Sequence, residues 1–402
     1  MAGKAGYSGL RGALHTIVAV MLAWSFEAFD FMLFPMLAVP IMAELGFVKV
    51  GFGALISFGL LGTMFGGVVS GMLADRVGRR LVLFLSLLVY GLGTLIIAYA
   101  WGFEAMVAGR FIVGFGLGAE WSTGMTLISE VVEPRLRGRA VGIAQSGWPL
   151  GVLLAIFVVT YFYPVIGWRG CFLIALLPVL LVVYIGLKVP ESGVWRSSRG
   201  SGLTLVEILR GRLARRTLLA LAMNVFAMFS YWMFWSWVPT YLYEVRGLSV
   251  VKSAEWLISA QVGAFLGYLV YGFLQDMVGR RAVWSVFTAT EAATILLYVW
   301  LPLSPPEAVA VGGLLGFFTG YWSGFGALLS ELFPTRVRST ALGFVFNVGR
   351  AINFVSPIVV AYLSQVYGWS AALALAAAAA FAASMMIWAF PETKGRELTQ
   401  IE

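Results

Sequence analysis

Long apolar stretches alternate with short polar segments along the whole of this 402-residue chain. A membrane-spanning helix needs roughly 20 mostly apolar residues. Only 11% of the residues are charged, whereas soluble domains contain about 25%. We therefore expect an all-α integral membrane protein. The predicted spans, numbered 1 to 12, cover residues 13–40, 50–74, 81–101, 104–130, 138–163, 168–188, 217–243, 255–275, 282–301, 307–331, 338–366 and 369–390.

The distribution of basic residues predicts the orientation. Twelve spans put both termini on one side, and 21 of the 27 Lys and Arg residues lie in segments on that side. Arg110 and Arg350 lie inside spans, and the opposite side holds Lys49, Arg169, Arg246 and Lys252. Lys and Arg favour the cytoplasmic side. We expect a multi-pass protein of the plasma (cell) membrane, in contact with lipid, with both termini in the cytoplasm.

Several function classes are disfavoured by what the sequence contains. One Cys (Cys171) and one His (His15) leave no internal disulfide and no Cys or His cluster for a metal. The net charge of +8 arises from small basic groups between apolar runs, which topology and anionic lipid explain better than nucleic acid. No P-loop or dinucleotide fingerprint is present, and no catalytic constellation is visible. We therefore expect no metal, no cofactor and no enzymatic activity.

The chain contains an internal repeat with an offset of 201 residues. "GMLADRVGRR" (71–80) matches "GFLQDMVGRR" (272–281). The same offset relates further identical residues, among them Glu130 and Glu331, Arg137 and Arg338, Trp168 and Trp369, and Glu191 and Glu392. Such regularity indicates a duplicated unit. Two parallel halves with a substrate site at their interface are typical of secondary transporters.

The long polar stretch at 190–216 divides the repeat. We predict an N-terminal six-helix bundle over 1–189, a cytoplasmic linker over 190–216, and a C-terminal six-helix bundle with a short cytoplasmic tail over 217–402. Within the linker, the sequence favours a short basic amphipathic helix at 203–213, lying on the membrane surface.

These motifs resemble a known family. "GMLADRVGRR" is similar to the signature loop between helices 2 and 3 of the major facilitator superfamily, and "RFIVGFGLG" (110–118) resembles the helix 4 motif of its proton-coupled members. "PES" (190–192) and "PETKG" (391–395) resemble the ends of the two halves in sugar and metabolite porters. "ELFPTRVRSTALGFVFNVGR" (331–350) looks most like the sialate and metabolite:proton symporters. The resemblance covers nearly the whole chain and implies alternating access.

The chain departs from this pattern at two places. Span 7 reads "NVFAMFSYWMFWSW", without the glutamine-rich motif of hexose carriers, which weighs against a hexose porter. The related symporters usually carry Asp at both acidic positions of helix 1, whereas this chain has Glu27 and Asp30. Either acid is therefore a candidate for carrying the proton.

Residues shared by both halves are predicted to form the fold or a gate. Gly allows the tight turn of the repeated motif, and its Asp can accept hydrogen bonds from a helix N-terminus or pair with Arg. The predicted cytoplasmic gate consists of Gly71, Asp75, Arg76, Gly78, Arg79, Arg80, Asp276, Gly279, Arg280, Arg281, Glu130 and Glu331.

Residues found in one half alone are predicted to carry function. A charge in mid-membrane costs about 2.5–3.5 kcal/mol on insertion scales, so such groups should line a cavity and pair. The predicted proton-coupling set is Glu27, Asp30, Arg110 and Glu120. From the rise of 1.5 Å per residue, Asp30 and Arg110 lie at similar depth. We expect an acid–Arg pair whose acid binds and releases a proton; the alternative is a static salt bridge between helices.

Arg350 is the leading candidate for a substrate ligand, since its fork can bind both oxygens of a carboxylate. The alternative is an internal ion pair with Glu120 or Glu291. Asn347 and Asn353 recur three residues to either side of Arg350 and are predicted to form one polar stripe with it. The remaining predicted substrate-binding residues are Tyr231, Trp235, Trp121 and Tyr321, with Gln145 and Gln261 as weaker candidates.

The sequence favours a monomeric secondary transporter that carries a small organic anion together with protons, such as a monocarboxylate, a sialate or an aromatic acid. A co-transported proton offsets the anion's charge movement, which is worth about 2.3 kcal/mol per 100 mV. A sugar or polyol symporter, in which Arg350 pairs internally, is the second possibility. The third is a proton/drug antiporter with a wide apolar pocket.

Overall fold

Every regular element in the computed structural model, which describes residues 9–197, 204–247 and 250–401, is a helix. Helices satisfy their own backbone groups where water is absent. Eleven helical stretches of the described ranges are long and apolar enough to cross a membrane, and the last, Thr335–Ala389, has 55 residues. Such a length suffices for two crossings, and the stretch breaks at Gly368. The prediction of twelve spans is confirmed.

The spans are built from helices of unequal length, and spans 5, 6, 7, 10 and 11 each combine consecutive helices. The first half contains Leu10–Met36, Ala38–Leu45, Lys49–Val77, Arg79–Ala98, Phe103–Val131, Arg137–Gln145, Gly147–Tyr161, Tyr163–Ile174 and Leu181–Lys188. The second half contains Gly211–Trp235, Val238–Glu244, Val250–Met277, Arg280–Trp300, Pro305–Phe318, Trp322–Leu332, Arg338–Ile352 and Ser356–Met386. Short 3₁₀ turns are Pro134–Leu136, Leu177–Leu180, Thr319–Tyr321, Thr335–Val337, Asn353–Val355, Ile387–Ala389 and Leu398–Gln400.

The segment between the halves differs from the helix expected at 203–213. Its described parts contain the short helices Gly193–Ser197 and Thr204–Ile208, while 198–203 lie outside the described residues. The chain is extended at Arg210, and Gly211 has a φ of 55°. A single amphipathic helix over this segment is therefore wrong, because the chain turns there and span 7 begins.

The repeat is visible in the backbone as well as in the sequence. Three pairs of glycines with positive φ are separated by 201 residues: Gly46 and Gly247 (70° and 64°), Gly78 and Gly279 (114° and 132°), and Gly167 and Gly368 (68° and 82°). L side chains rarely adopt this conformation, so glycine is required where each half must turn between helices. The two halves thus change direction at equivalent points.

The halves meet along two pseudo-equivalent seams. Span 2 packs against span 11, and span 5 packs against span 8. In both seams a glycine allows close approach: a Cβ built on Gly71 would lie 2.5 Å from the carbonyl oxygen of Ser339, and one on Gly142 would lie 2.7 Å from the Cα of Gly272. We call the end of the bundle where span 1 begins and span 12 ends the termini face, and the opposite end the far face.

Candidate functional site

Asp75 and Asp276 cap helices of the opposite half at the termini face. Asp75 accepts hydrogen bonds from the backbone N–H groups of Ser339, at 3.1 Å, and Thr340, at 2.9 Å. Its repeat partner Asp276 accepts hydrogen bonds from the backbone N–H groups of Gly138 and Arg139, both at 2.9 Å, at the start of the helix Arg137–Gln145. The first N–H groups of a helix lack partners within it and carry partial positive charge. Each carboxylate therefore clamps the two halves together.

A buried ion-pair network lies between these two caps. Glu130 contacts Arg79 of its own half, at 3.0 Å, and Arg338 of the other, at 2.6 Å. Glu331 likewise contacts Arg280 of its own half and Arg137 of the other half, both at 2.8 Å. The network, which we call the termini gate, consists of Glu130, Glu331, Arg79, Arg137, Arg280 and Arg338. Removing one partner of such a pair costs about 3–5 kcal/mol because a buried charge is left uncompensated.

The tail after span 12 also contacts the termini gate, which sequence reasoning missed. Arg137 donates to the carbonyl oxygen of Arg396 at 3.1 Å, and Arg338 donates to that of Leu398 at 3.3 Å. The carboxylate of Glu392 accepts backbone N–H groups at the start of span 9. Its burial favours the protonated acid, but these backbone donors outweigh the burial and hold the pKa of Glu392 below its ordinary value.

Three arginines of the predicted gate lie outside the six residues that define the termini gate. Arg76 is exposed, Arg80 donates to a backbone carbonyl of span 6, and the guanidinium of Arg281 lies 4.3 Å from the ring centroid of Trp388. Consecutive helical residues point about 100° apart, so only one arginine of each pair can face the other half.

We expect Gly71→Val to hold the termini face open. The added side chain meets the backbone of span 11, which cannot move aside without separating the halves. The measurement is maleimide labelling of Ser339→Cys, which is fully buried in the closed gate. The native thiol, Cys171, is also buried, so the introduced thiol dominates the signal. Labelling should become at least about tenfold faster in the Gly71→Val background, as for a shift of about 1.4 kcal/mol.

The matched control is Gly53→Val on the same helix, where an added Cβ would have no neighbour within 4 Å. It should label at the parental rate. Equal labelling of the Gly71→Val and Gly53→Val proteins would show that the seam does not control access.

Two buried acid–Arg pairs lie near the middle of the bundle. Asp30 of span 1 lies 3.7 Å from Arg110 of span 4, within the first half, as the depth argument expects. Glu27 lies 2.8 Å from Arg350 of span 11, across the interface between the halves. The alternative to substrate binding was an internal pair of Arg350 with Glu120 or Glu291, and the structure pairs Arg350 with Glu27 instead. The second pair therefore links the halves, whereas the first does not.

Arg350 uses only part of its hydrogen-bonding capacity. Its Nη1 donates to Glu27 at 2.8 Å, while its buried Nη2 has no hydrogen-bond partner among the described residues. The guanidinium carbon lies 4.7 Å from the ring centroid of Phe31 and 5.8 Å from that of Trp148. A guanidinium held between aromatic rings with a free edge is suited to bind an incoming anion.

Two cavities meet at Arg350. The larger lies in the far-face half of the bundle between spans 1, 2, 5, 7, 8 and 11. The smaller lies deeper and is walled mainly by aromatic side chains. Both cavities are lined by Trp148, Tyr231, Trp232 and Arg350. The termini gate lies on the other side of these cavities, and the larger cavity extends towards the far face.

The predicted substrate-binding residues fall into two groups. Tyr231, Trp235, Gln145 and Asn353 line a cavity together with Arg350, and so does Gln261. The others lie behind the walls and line neither cavity: Asn347, Trp121 and Tyr321.

The local contacts explain the second group. Asn347 donates to the Gly118 carbonyl at 3.2 Å in the seam between the halves. Trp121 stacks on Phe346 with centroids 3.6 Å apart. Gln145 connects both regions, since it accepts from the Trp121 indole at 3.3 Å and donates to the Trp322 carbonyl at 2.9 Å.

Several cavity residues were not predicted from the sequence: Trp24, Phe31, Tyr268, Trp232 and Phe346. For Trp24 a signal exists, because it lies three residues before Glu27 and hence close to the same helix face. The other four are aromatic residues in strongly aromatic spans, where spacing does not separate wall residues from packing residues. Glu120 is buried near Glu27, with one oxygen lacking a hydrogen-bond partner. Among the described residues, no group of His, Cys, Asp and Glu is arranged to hold a metal ion.

Comparison with known proteins decides the family. The model of the Major Facilitator Superfamily matches residues 19–264, more than half of the chain. The chain belongs to the major facilitator superfamily. The family model "Sugar (and other) transporter" matches residues 201–402. As a member of this superfamily, the chain is a membrane transporter of small molecules and not an enzyme.

Relatives extend over most of this transporter. A niacin transporter of Acinetobacter baylyi is 31% identical over 378 residues, covering 86% of this chain and 85% of its own length. A sialic acid transporter of Escherichia coli is 26% identical over 365 residues, covering 89% of each chain. Among solved structures, the proton:xylose symporter XylE superposes with a TM-score of 0.79 over 97% of this chain and 98% of its own, at 20% identity. This last similarity shows the fold alone.

Proposed function

We propose that this transporter carries a small organic anion together with protons, and that Arg350 binds the anion's carboxylate. The observation that carries the proposal is the free Nη2 edge of Arg350, buried where two cavities meet. A carboxylate placed there forms a charge-assisted hydrogen bond in a site with low access to water, where such bonds are strongest. The relatives named for niacin and sialic acid transport support a carboxylate substrate.

Glu27 is proposed to carry the proton that is coupled to anion binding. Its carboxylate occupies Nη1 of Arg350 and so competes with a substrate carboxylate for the same cation. Protonation removes this competition and frees both nitrogens for the substrate. Asp30 is proposed to hold Arg110 within the first half, because their 3.7 Å pair joins spans 1 and 4 without reaching the substrate site.

Alternating access follows from the same pair. While Glu27 is ionised and the cavity is empty, its pair with Arg350 holds span 1 against span 11. A proton and an anion together leave the site with the same net charge, so the halves can rock without an uncompensated charge in mid-membrane. We place the termini face in the cytoplasm because 21 of 27 basic residues lie in segments on that side. The far-face cavity then opens to the outside, which suits uptake across the plasma membrane.

One observation favours a second candidate, a sugar or polyol symporter. That alternative predicts an internal pair for Arg350, and such a pair is present. Beside Arg350, however, the deep cavity offers Tyr hydroxyls and Trp indoles, with Gln145 engaged at both ends, and its charged group favours an anion over a neutral sugar.

A thermal-shift panel followed by transport in liposomes separates the candidates. Nicotinate and nicotinamide form a matched pair, since they share a ring and differ in charge, and xylose represents the neutral sugars. We expect nicotinate to stabilise the protein, with little effect of nicotinamide or xylose. We also expect an inward proton gradient to drive nicotinate accumulation above equilibrium. The proposal would be contradicted if xylose alone stabilised the protein, or if nicotinate accumulation did not depend on the proton gradient.

A further inference from the structure

Glu291 of span 9 is a buried acid that the proposed transport cycle does not use. Its side chain is 2% exposed, and its Oε2 has no hydrogen-bond partner. The other buried acids of the described spans form ion pairs with Arg, with the exception of Glu120, which lies near the Glu27–Arg350 pair. Within the described residues, Glu291 therefore combines deep burial with the absence of a nearby cation.

Tyrosine side chains connect this carboxyl to the cavity. The Tyr321 hydroxyl lies against Glu291, without reaching the geometry of a full hydrogen bond. Tyr268 and Tyr231 are close enough to interact electrostatically with Glu291, and both line the deep cavity beside Arg350. Hydroxyl groups can both donate and accept a proton. Tyrosines that line the substrate cavity are therefore within electrostatic reach of Glu291.

The repeat provides an independent observation. With the offset of 201, Glu291 corresponds to Tyr90 and Tyr321 corresponds to Glu120. The first half thus has Tyr on span 3 and Glu on span 4, while the second half has Glu on span 9 and Tyr on span 10. Each half contains one acid and one tyrosine at these two equivalent positions, with the residue types exchanged.

We propose that Glu291, with Tyr321, Tyr268 and Tyr231, forms a second proton-binding site in the C-terminal half. An ionised carboxylate without a cation is costly inside a protein, by several kcal/mol, whereas the neutral acid is not. Glu291 therefore holds a proton while its surroundings are closed and exchanges it through the tyrosines when the cavity is wet. The groups that face it are Tyr321 of span 10, Tyr268 of span 8 and Tyr231 of span 7. The positive charge of Arg350 interacts electrostatically with Tyr231. Span 12, which also packs on span 9, places Ser384 near Ser285, two turns from Glu291.

Infrared titration of the purified, reconstituted protein tests this site without any substrate. The wild type is compared with Glu291→Gln, which keeps the size and polarity of the side chain but cannot hold the proton. We expect the difference between the two spectra to contain the carbonyl band of one protonated carboxyl, which decreases as the pH is raised and is absent from Glu291→Gln. Tyr321→Phe should shift that band because it removes the adjacent hydroxyl.

The control is Glu104→Gln, an exposed acid at the start of span 4, which should leave the buried band unchanged. Identical spectra of the wild type and Glu291→Gln would overturn the proposal, and so would a band that does not change with pH. Since no substrate is involved, failure of this titration leaves the proposed anion symport standing. Failure of nicotinate transport likewise leaves the titration result unchanged.

Discussion

Replacing Arg350 by Lys is expected to weaken nicotinate binding by at least about tenfold. Lys keeps the positive charge but replaces the planar fork by a single ammonium group, so it cannot bind both oxygens of the substrate carboxylate once protonated Glu27 has released the cation. The loss of one charge-assisted hydrogen bond is worth roughly 1.5–3 kcal/mol. Nicotinate affinity, measured by quenching of tryptophan fluorescence, reports the change because Trp148 and Trp24 line the site.

The control for this variant is Arg169→Lys at the far face, a partly exposed arginine paired with Glu44. It makes the same chemical change away from the cavities and should bind nicotinate as the wild type does. Arg350→Ala is a less direct test, because it leaves Glu27 buried without a partner. The double variant Glu27→Gln/Arg350→Ala removes that penalty and should fold but not bind nicotinate. Wild-type affinity in Arg350→Lys would exclude a role for the fork.

Replacing Glu27 by Gln is expected to abolish proton-driven accumulation while leaving exchange intact. In the wild type, ionised Glu27 competes for Arg350, so nicotinate affinity should fall as the pH rises, by at most about tenfold per pH unit for one proton. Gln carries no charge, so the affinity of the variant should not vary with pH over this range. Liposomes loaded with nicotinate should still exchange it for labelled nicotinate without a gradient.

Asp30→Asn is the matched comparison for Glu27→Gln. It lies one helical turn away and loses the same charge, but its partner is Arg110 in the same half. We expect it to keep the pH dependence of nicotinate binding. If the pH dependence disappears in Asp30→Asn and persists in Glu27→Gln, the roles proposed for the two acids must be exchanged.

Axial positions along the helices could be predicted from the sequence, because residue number and the rise per residue determine depth. The placement of Asp30 opposite Arg110 followed from depth alone. The caps formed by Asp75 and Asp276 followed from the repeat, which identified the shared acids. These features needed no knowledge of how each helix is rotated about its axis.

The rotation of each helix about its own axis could not be predicted from the sequence. A helix has 3.6 residues per turn, so residues three apart are displaced by about 60° at each step. Asn347, Arg350 and Asn353 therefore do not share one narrow stripe. Asn347 faces the seam with span 4, whereas Asn353 donates to the Val225 carbonyl of span 7. Spans that are apolar on all sides give no signal for which face meets which neighbour, and for this reason the pairing of Glu27 with Arg350 was missed.

The contacts of the tail with the termini gate have a consequence for biosynthesis. The carbonyl groups that accept hydrogen bonds from Arg137 and Arg338 belong to Arg396 and Leu398, which follow all twelve spans in the chain. During translation, both arginines lack these acceptors until the ribosome has made the tail. The closed form of the termini face therefore gains its full set of hydrogen bonds only after both halves have been inserted. A chain whose synthesis stops after span 12 lacks the hydrogen bonds from Arg137 and Arg338 to the tail.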